Sequence, residues 1–390
     1  AVALVVAGCL SNSNEPEGAT QSSTDSPQSS HIPHTTTSPT ASPSPAPTSK
    51  ATGLMGNGTM EANSTTDPPS IRFLLTGDTG TGSETQYKVA QTMAQVCAER
   101  GCDFMAILGD LIYESGVQSA DDPQFEEKFE LPYAALDFPI YTVLGNHDNS
   151  YDPVTATLGV DAGIGHWYAA GTHMVEYHYR TDRLSEKWQL PDRYYSFRYG
   201  DAEFFALDSN TMMFNNVATG STNPQAYQDA LNQAAWFDEA VAASNATWKF
   251  TLAHHPYVSN GEHGDAGHYD DEEVGPLGEQ SAPGISGEPV KAFFDDHVCA
   301  SGQIDLHFAG HDHDLQWLKP VPDCGKTEFI VSGAGAKSRD LEEDPSEDAY
   351  FGQGATQGFF WVEIRGDSFH ALVIDEEGAV LYERTLSKTS

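Results

Sequence analysis

Residues 104–113 read FMAILGDLIY, an apolar run followed by a glycine, an aspartate and, three positions later, a tyrosine. Near-continuous apolar runs of this length are typical of strands buried on both faces in an α/β fold. Ligands of α/β sheets collect where the strands end. Asp110 is therefore a candidate ligand, and Tyr113 either packs behind the sheet or belongs to the same site.

The same pattern recurs along residues 70–390, where short apolar runs lead into polar, glycine-marked turns. The other examples are IRFLL before TGDTG (71–80), PIYTVL before GNHD (139–148), EFFAL before DSN (203–210), KFTLA before HHP (249–256) and IDLHFA before GHDH (304–313). Helices are predicted over 83–101, which begins with a Ser83/Gln86 capping pattern, and over 227–244. The chain therefore reads as an α/β protein whose strands end in potential ligands.

Each of these polar residues has an ordinary explanation when taken alone. An aspartate after a strand commonly caps a turn, and a lone histidine is usually a packed or surface residue. His311 and His313 are two positions apart, so both would face the same way on an extended segment. The candidates that the whole pattern singles out are Asp78, Asp110, Asn146, His147, His254, His311 and His313.

Read in order, GDTG, GDLIY, GNHD, AHH and GHDH resemble the five-block signature of the purple acid phosphatases in the metallophosphoesterase superfamily. The small tartrate-resistant type is the most similar. The resemblance covers residues 70–390, including the predicted strands of 358–366 and 368–386. It implies one catalytic domain with a four-layer αββα sandwich, in which two mixed sheets are flanked by helices.

The resemblance also implies a dinuclear metal centre. Most metallophosphoesterases begin with D-x-H, but Gly80 stands in the place of that histidine, and Tyr113 stands where the purple phosphatases supply a tyrosine. A phenolate is a hard anionic donor that suits Fe(III). The implied ligands are Asp78, Asp110, Tyr113 and His313 for Fe(III), and Asn146, His254 and His311 for a divalent ion (Fe, Zn or Mn), with Asp110 bridging.

Two further histidines are implied as catalytic residues. His147 would contact the phosphate or the leaving group, with Asp148 orienting it. His263, nine residues after His254, matches a second active-site histidine of the mammalian-type enzymes. His255 is expected to pack, whereas His268 is a candidate to enter the site on its glycine-rich loop.

The implied activity is hydrolysis of phosphate monoesters by a metal-bound hydroxide, with a preference for acidic pH. A phosphodiesterase or nucleotidase on the same scaffold is one alternative. A surface-displayed binding protein with an inactive site is another, although all seven expected ligands are present. Substrate preference depends on loops that the sequence does not place. The roles of loops 150–180 and 264–288 stay open, as does the question whether loop 209–224 restrains activity until it is cut.

The formal net charge is −38, from 57 acidic and 19 basic side chains. Residues 1–69 hold five of the acidic side chains and one basic one, so most of the negative charge falls in the predicted catalytic domain. Such a surface repels nucleic acid and anionic lipid headgroups. Small phosphorylated substrates are the expected partners of a protein predicted to be a monomer.

The N-terminal residues predict export. The run AVALVVAGC resembles the end of a secretory signal, and its last four residues resemble a lipobox in which Cys9 receives lipid. Residues 10–69 are rich in Ser, Thr and Pro and are predicted to form a disordered tether. The protein is therefore expected to be a cell-surface lipoprotein or secreted, in contact with the membrane only through the lipid.

Four further cysteines are Cys97, Cys102, Cys299 and Cys324. An even number in an exported chain suggests two disulfides, for which three pairings exist. We favour Cys97–Cys102 and Cys299–Cys324, because each pair is near in sequence.

Overall fold

The computed structural model describes residues 70–150, 168–213, 224–269 and 287–388. All of them fall within the predicted catalytic domain. The predicted anchor Cys9, the predicted tether 10–69 and the central parts of the three loops named above lie outside the described residues.

The described residues contain fourteen strands. They are β1 (Ile71–Thr76), β2 (Phe104–Ile107), β3 (Ile140–Thr142), β4 (Trp188–Gln189), β5 (Tyr195–Tyr199), β6 (Ala202–Ala206), β7 (Trp248–Leu252), β8 (Leu306–Ala309), β9 (Leu315–Leu318), β10 (Glu328–Ser332), β11 (Ala349–Gln353), β12 (Gly358–Arg365), β13 (Ser368–Asp375) and β14 (Val380–Ser387). Each predicted apolar run corresponds to one of these strands.

The strands form two mixed sheets of seven. The first has the order β14-β13-β12-β1-β2-β3-β4, in which β1 to β4 are parallel and β12 to β14 pair antiparallel. The second has the order β11-β9-β10-β8-β7-β6-β5, with a parallel centre from β10 to β6. Parallel neighbours place their carboxyl ends at one edge, and that edge is where the predicted ligand turns lie.

Helices cover the outer faces of the sheets. They are α1 (Glu84–Arg100), α2 (Tyr168–His178), α3 (Ser209–Met213), α4 (Pro224–Ala243) and α5 (Glu288–Phe293), with π-helical segments at Glu126–Glu130 and Phe294–Cys299 and a 3-10 turn at Pro322–Cys324. Helix α1 is capped by Ser83, whose side chain accepts a hydrogen bond from the Gln86 amide, and it ends at Gly101 with φ 83°. Both predicted helices are therefore present, although α4 begins three residues before its predicted start.

The space between the sheets is filled largely by aromatic rings. Phe73 of β1 stacks on Phe104 of β2 with ring centroids 4.8 Å apart, and it meets Phe204 of β6 at 5.4 Å. A second cluster, which includes Phe237 and Phe294, packs the helices against the outer face of the second sheet. Burying each such side chain stabilises the fold by about 1.5–3 kcal/mol. The predicted four-layer αββα class is confirmed.

Two disulfides tie chain segments at the ends of helices. Cys97 of α1 pairs with Cys102, and Cys299 pairs with Cys324 of the 3-10 turn, which is the pairing favoured from the sequence. Among the described residues, no helix combines the length and apolar character needed to cross a bilayer.

We expect buried His307 on β8 to make the fold sensitive to acid. Its Nδ1 lies 3.0 Å from Oγ1 of Thr251, while its Nε2 is buried without a hydrogen-bond partner among the described residues. Burial lowers the pKa of His307 from 6.5 to about 3. The unfolded chain therefore binds a proton first as the pH falls below 6.5, so the free energy of unfolding decreases from there toward pH 3.

In the wild type the free energy of unfolding should fall as the pH is lowered from neutral to the middle of the range between 6.5 and 3. For His307→Asn we expect this fall to be smaller than in the wild type by about 2 kcal/mol. Urea denaturation at several pH values measures it. The matched control is His370→Asn, which removes a partly exposed histidine paired with Glu383 at 2.9 Å. A His307→Asn slope equal to that of the wild type would show that His307 does not carry the effect.

Candidate metal centre

The predicted ligands come together at one edge of the two sheets, at the carboxyl ends of β1, β2, β3, β7 and β8. Asp78 follows β1, Asp110 and Tyr113 follow β2, Asn146 follows β3, His254 follows β7, and His311 and His313 follow β8. Their donor atoms form two adjoining groups.

The first group joins Asp78, Tyr113 and His313. The Tyr113 hydroxyl donates to Oδ1 of Asp78 at 3.0 Å and lies 3.1 Å from Nε2 of His313. Nε2 of His313 is itself 3.5 Å from Oδ1 of Asp78. A carboxylate oxygen, a phenol oxygen and an imidazole nitrogen thus converge on one point.

The second group joins Asn146, His254 and His311. Nε2 of His254 lies 2.7 Å from Oδ1 of Asn146 and 3.2 Å from Nδ1 of His311. The same nitrogen is 3.6 Å from Oδ1 of Asp110. Asp78, Asp110 and His254 offer ligand atoms that all lie within 4.8 Å of one another, so Asp110 stands between the groups.

Three of these residues have an unusual backbone conformation. Among the described residues, only four other than glycine have a positive φ, and three of the four are Asp78 (57°), Asp110 (51°) and His311 (72°). Such conformations cost free energy and persist where the surrounding structure imposes them, commonly at functional sites. Here they turn each side chain toward the same point as the chain leaves its strand.

Two glycines are required by close approach. A Cβ at Gly145 would lie 2.0 Å from Oδ1 of Asp110, so the β3 turn reaches Asp110 only because it has no side chain there. A Cβ at Gly80 would lie 1.8 Å from the carbonyl oxygen of Leu111. The backbone therefore excludes the histidine of the D-x-H pattern from position 80, and Tyr113 reaches the first group in its stead.

The electrostatics of the carboxyl groups favour a bound cation. Burial raises the pKa of the fully buried Asp78 to about 7, and the neighbouring Asp110 adds to the shift, although His254 opposes it. Burial also acts to raise the pKa of Asp110, but the neighbouring His254 and His147, together with hydrogen bonds from the Tyr113 hydroxyl and the His147 amide, lower that pKa to about 2. Burial raises the pKa of Tyr113 well above 10, so its phenolate requires a strong compensating charge.

Two of the ligand histidines, His311 and His313, are held neutral. Burial lowers the pKa of His311 well below its usual value, and neighbouring histidines add to the shift. Burial lowers the pKa of His313 to about 3, with Arg339 contributing. A neutral imidazole keeps the lone pair with which it ligates a metal.

Residues 71–315 match the family model described as calcineurin-like phosphoesterase. The chain belongs to this family. Tartrate-resistant acid phosphatase type 5 from Sus scrofa is 27% identical over 357 residues, covering 85% of this chain and 91% of the relative. The relatives confirm the predicted resemblance to the purple acid phosphatases.

Solved structures of related fold include GAP50, the anchor in the inner membrane complex of Plasmodium. It has a TM-score of 0.59 and 17% identity, and the match covers 82% of this chain and 90% of that one. The purple acid phosphatase PPD1 from yellow lupin has a TM-score of 0.55 and 15% identity, covering 82% and 54%. At these identities the structures show the fold alone. The family and its curated relatives confirm an enzyme of the acid phosphatase class.

One predicted contact of this calcineurin-like phosphoesterase is wrong. Asp148 was expected to orient His147, but Nδ1 of His147 faces the carbonyl oxygen of Glu114 at 2.7 Å. The Asp148 carboxylate instead accepts backbone hydrogen bonds from Leu111, Ile112 and Gly145 at 2.9–3.0 Å. Buried amides satisfy the carboxylate better than the adjacent ring, so Asp148 joins the β2 and β3 turns that carry ligands.

His263 lies beside the second group. Its ring stacks on that of His311 with centroids 4.2 Å apart, and its amide donates to Oδ1 of Asp312 at 2.8 Å. Nη1 of Arg339 lies 2.7 Å from Nε2 of His263. A guanidinium has no acceptor, so Nε2 accepts and the ring is neutral in this arrangement.

His255 and His268 differ in placement. His255 is buried, its Nδ1 is 2.7 Å from Oγ of Ser209, and its ring lies 4.6 Å from that of His311. It packs as expected, yet it also shares with His254 and His311 a set of ligand atoms within 4.8 Å. His268 is exposed on the glycine-rich loop.

Sequence reasoning missed three residues near the site: Asp312, Lys337 and Arg339. Asp312 lies inside GHDH, between the two histidines that were predicted to be ligands. Its carboxylate accepts hydrogen bonds from the Ser259 hydroxyl and the His263 amide. Lys337 and Arg339 belong to GAGAKSRD, which matches none of the five blocks. The sequence signal for these two residues is that two basic side chains lie two positions apart in a strongly acidic chain.

Proposed function

We propose that this phosphoesterase hydrolyses phosphate monoesters at a dinuclear centre of Fe(III) and a divalent ion, either Fe, Zn or Mn. The observation that carries the proposal is the convergence of seven donor side chains from five strand ends on two adjoining points. The Tyr113 hydroxyl lies within 3.1 Å of both other donors of the first group, which fits Fe(III).

The residues present fit two metal ions. Asp78, Tyr113 and His313 would hold Fe(III), and Asn146, His254 and His311 would hold the divalent ion, with Asp110 between them. A cation bound beside buried Asp78 would stabilise the ionised carboxylate against the burial that raises its pKa. When bound, paired cations stabilise the phosphate charge and activate water as the nucleophile.

Of the two candidate proton donors, His147 and His263, His147 is the better placed. The carbonyl oxygen of Glu114 can only accept, so Nδ1 of His147 carries a hydrogen. Its Nε2 lies 3.9 Å from Oδ2 of Asp110, at the edge of the ligand group. Nε2 donates to a leaving group only when the ring is protonated, which favours acidic pH.

His263 is the second candidate. Because Nε2 of His263 accepts from Arg339, it donates to a leaving group only after that guanidinium moves and the ring is protonated. His263→Ala would then lower turnover most for poor leaving groups, which need a proton. An equal loss for good and poor leaving groups would assign His263 a positioning role.

We further propose that small phosphorylated molecules are the substrates of a monomeric, exported protein that does not bind nucleic acid. The net charge of −38 supports the exclusion of nucleic acid, and two disulfides suit an oxidising compartment. Attachment of lipid to Cys9 stays a prediction outside the described residues, and mass spectrometry of the mature N-terminal peptide tests it.

The full chain, loaded with iron and zinc, tests the function. We expect kcat/KM for p-nitrophenyl phosphate to exceed that for bis(p-nitrophenyl) phosphate by about 100-fold, and to be higher at acidic than at neutral pH. Metal analysis of the same sample should give two ions per chain. Equal or faster hydrolysis of the diester would instead indicate a phosphodiesterase, and loaded protein with no turnover would indicate a binding protein.

A further inference from the structure

We propose that Lys337 and Arg339 form a cationic subsite that binds a second anionic group, a phosphate or a carboxylate, on the leaving-group side of the substrate. The inference rests on the proposed phosphatase function. It adds a substrate class, phosphate monoesters that carry a further negative charge.

The segment that carries the two cations is bound to the ligand turns through its backbone. The amide of Gly335 donates to the carbonyl oxygen of Gly77 at 3.1 Å, next to Asp78. The amide of Arg339 donates to the carbonyl oxygen of His313 at 2.8 Å. The positions of Lys337 and Arg339 are therefore fixed relative to the first and last ligand turns.

One cation lies beside each half of the metal centre. Nζ of Lys337 lies 3.6 Å from the centroid of the Tyr113 ring. The Arg339 guanidinium contacts His263, whose ring stacks on that of His311. A phosphate placed between the two ligand groups would thus have both positive side chains within reach of its substituent.

The ion pairs that Lys337 and Arg339 form with acidic side chains are weak and partly exposed. Lys337 lies 3.3 Å from Oε2 of Glu114, and Arg339 lies 3.6 Å from Oε2 of Glu262. The four side chains are 26–54% exposed, and pairs of this kind contribute little to stability. A substrate anion can therefore replace the carboxylate at small cost.

Arg193 is a cation with a structural role, and its burial and pairing differ from those of Lys337 and Arg339. Its side chain is 5% exposed and bonded to the fully buried Asp208 at 2.9 Å and to Asn149 at 3.1 Å. Replacing those partners would leave a buried charge unpaired. Lys337 and Arg339 carry no such constraint, which distinguishes a binding role from a structural one.

The negative charge of the whole chain explains why positive side chains beside the metal centre would favour substrate binding. A net charge of −38 opposes the approach of a multiply charged anion. An ammonium and a guanidinium beside the metal centre offset this repulsion locally, and the planar guanidinium can bind a phosphate or carboxylate through two hydrogen bonds. Drawing Arg339 to the substrate would also remove its hydrogen bond to Nε2 of His263.

The test compares Lys337→Gln, Arg339→Gln and the double variant with matched controls. Lys319→Gln and Arg365→Gln each remove a partly exposed cation paired with one carboxylate outside the ligand turns. The substrates are propanediol bisphosphate and propyl phosphate, which differ in the second anionic group. We expect kcat/KM of the double variant to fall about 30-fold for the bisphosphate and less than about 3-fold for propyl phosphate.

A second readout does not depend on turnover. Calorimetry should show that the double variant binds methylenediphosphonate about 10-fold more weakly than the wild type, with methylphosphonate affinity little changed. Equal losses for both substrates, or equal affinities for methylenediphosphonate, would overturn the subsite. A wild type that hydrolyses neither substrate would refute the proposed function, and the calorimetric comparison would still decide on the subsite.

Discussion

Asp110→Asn is expected to lower kcat/KM by at least about 10⁴-fold and to leave the purified protein short of both metal ions. Asp110 lies between the two ligand groups, with Oδ1 3.6 Å from Nε2 of His254 and Oδ2 3.9 Å from Nε2 of His147. A neutral amide of the same shape removes the negative charge that both cations would share. Metal quantification and steady-state kinetics on the same preparation measure the effect.

The substitution should leave the fold intact. Position 110 has φ 51°, a conformation that asparagine tolerates well, and an asparagine oxygen can still accept the His147 amide hydrogen at this site. Asp305→Asn is the matched control, because Asp305 is also buried but lies before β8, at its opposite end. We expect the control to lose stability and keep its metals. Normal metal content in Asp110→Asn would refute the bridging role.

The ligands could be read from the sequence because each lies next to its own strand. An apolar run and the polar residue that ends it are local features, and parallel strands bring their carboxyl ends to one edge. The place of Tyr113 beside Asp78, 35 positions away, was instead implied by the resemblance to the purple acid phosphatases. Gly80 could be recognised as a departure from D-x-H, but the steric reason, a clash with Leu111, needed coordinates.

Contacts between distant turns could not be read in the same way. Asp148 is next to His147 in the chain, which suggested a pair, but its carboxylate points to amides 36 and 37 positions away. Arg339 meets His263 across 76 positions, next to an isolated β-bridge between Gly261 and Leu341. Side-chain direction depends on packing around the turn, and adjacency in sequence does not determine it.

The iron-loaded, oxidised protein is expected to absorb broadly in the visible, and Tyr113→Phe is expected to abolish that band. The hydroxyl of Tyr113 lies 3.0 Å from Oδ1 of Asp78 and 3.1 Å from Nε2 of His313. Burial and the two nearby carboxylates raise the pKa of this phenol, so it ionises only when a highly charged cation binds beside it. Phenylalanine keeps the ring, and with it the contacts to His147 and Lys337.

The measurement is absorbance per bound iron, because the variant also loses one ligand and is expected to bind iron more weakly. Loss of an anionic donor should raise the reduction potential of the iron, since such donors favour Fe(III). Tyr195→Phe is the matched control: Tyr195 is buried, but its hydroxyl donates to the carbonyl oxygen of Thr142. A wild type without a visible band, or a Tyr113→Phe protein with the full band, would point to a centre of two divalent ions in which Tyr113 only packs.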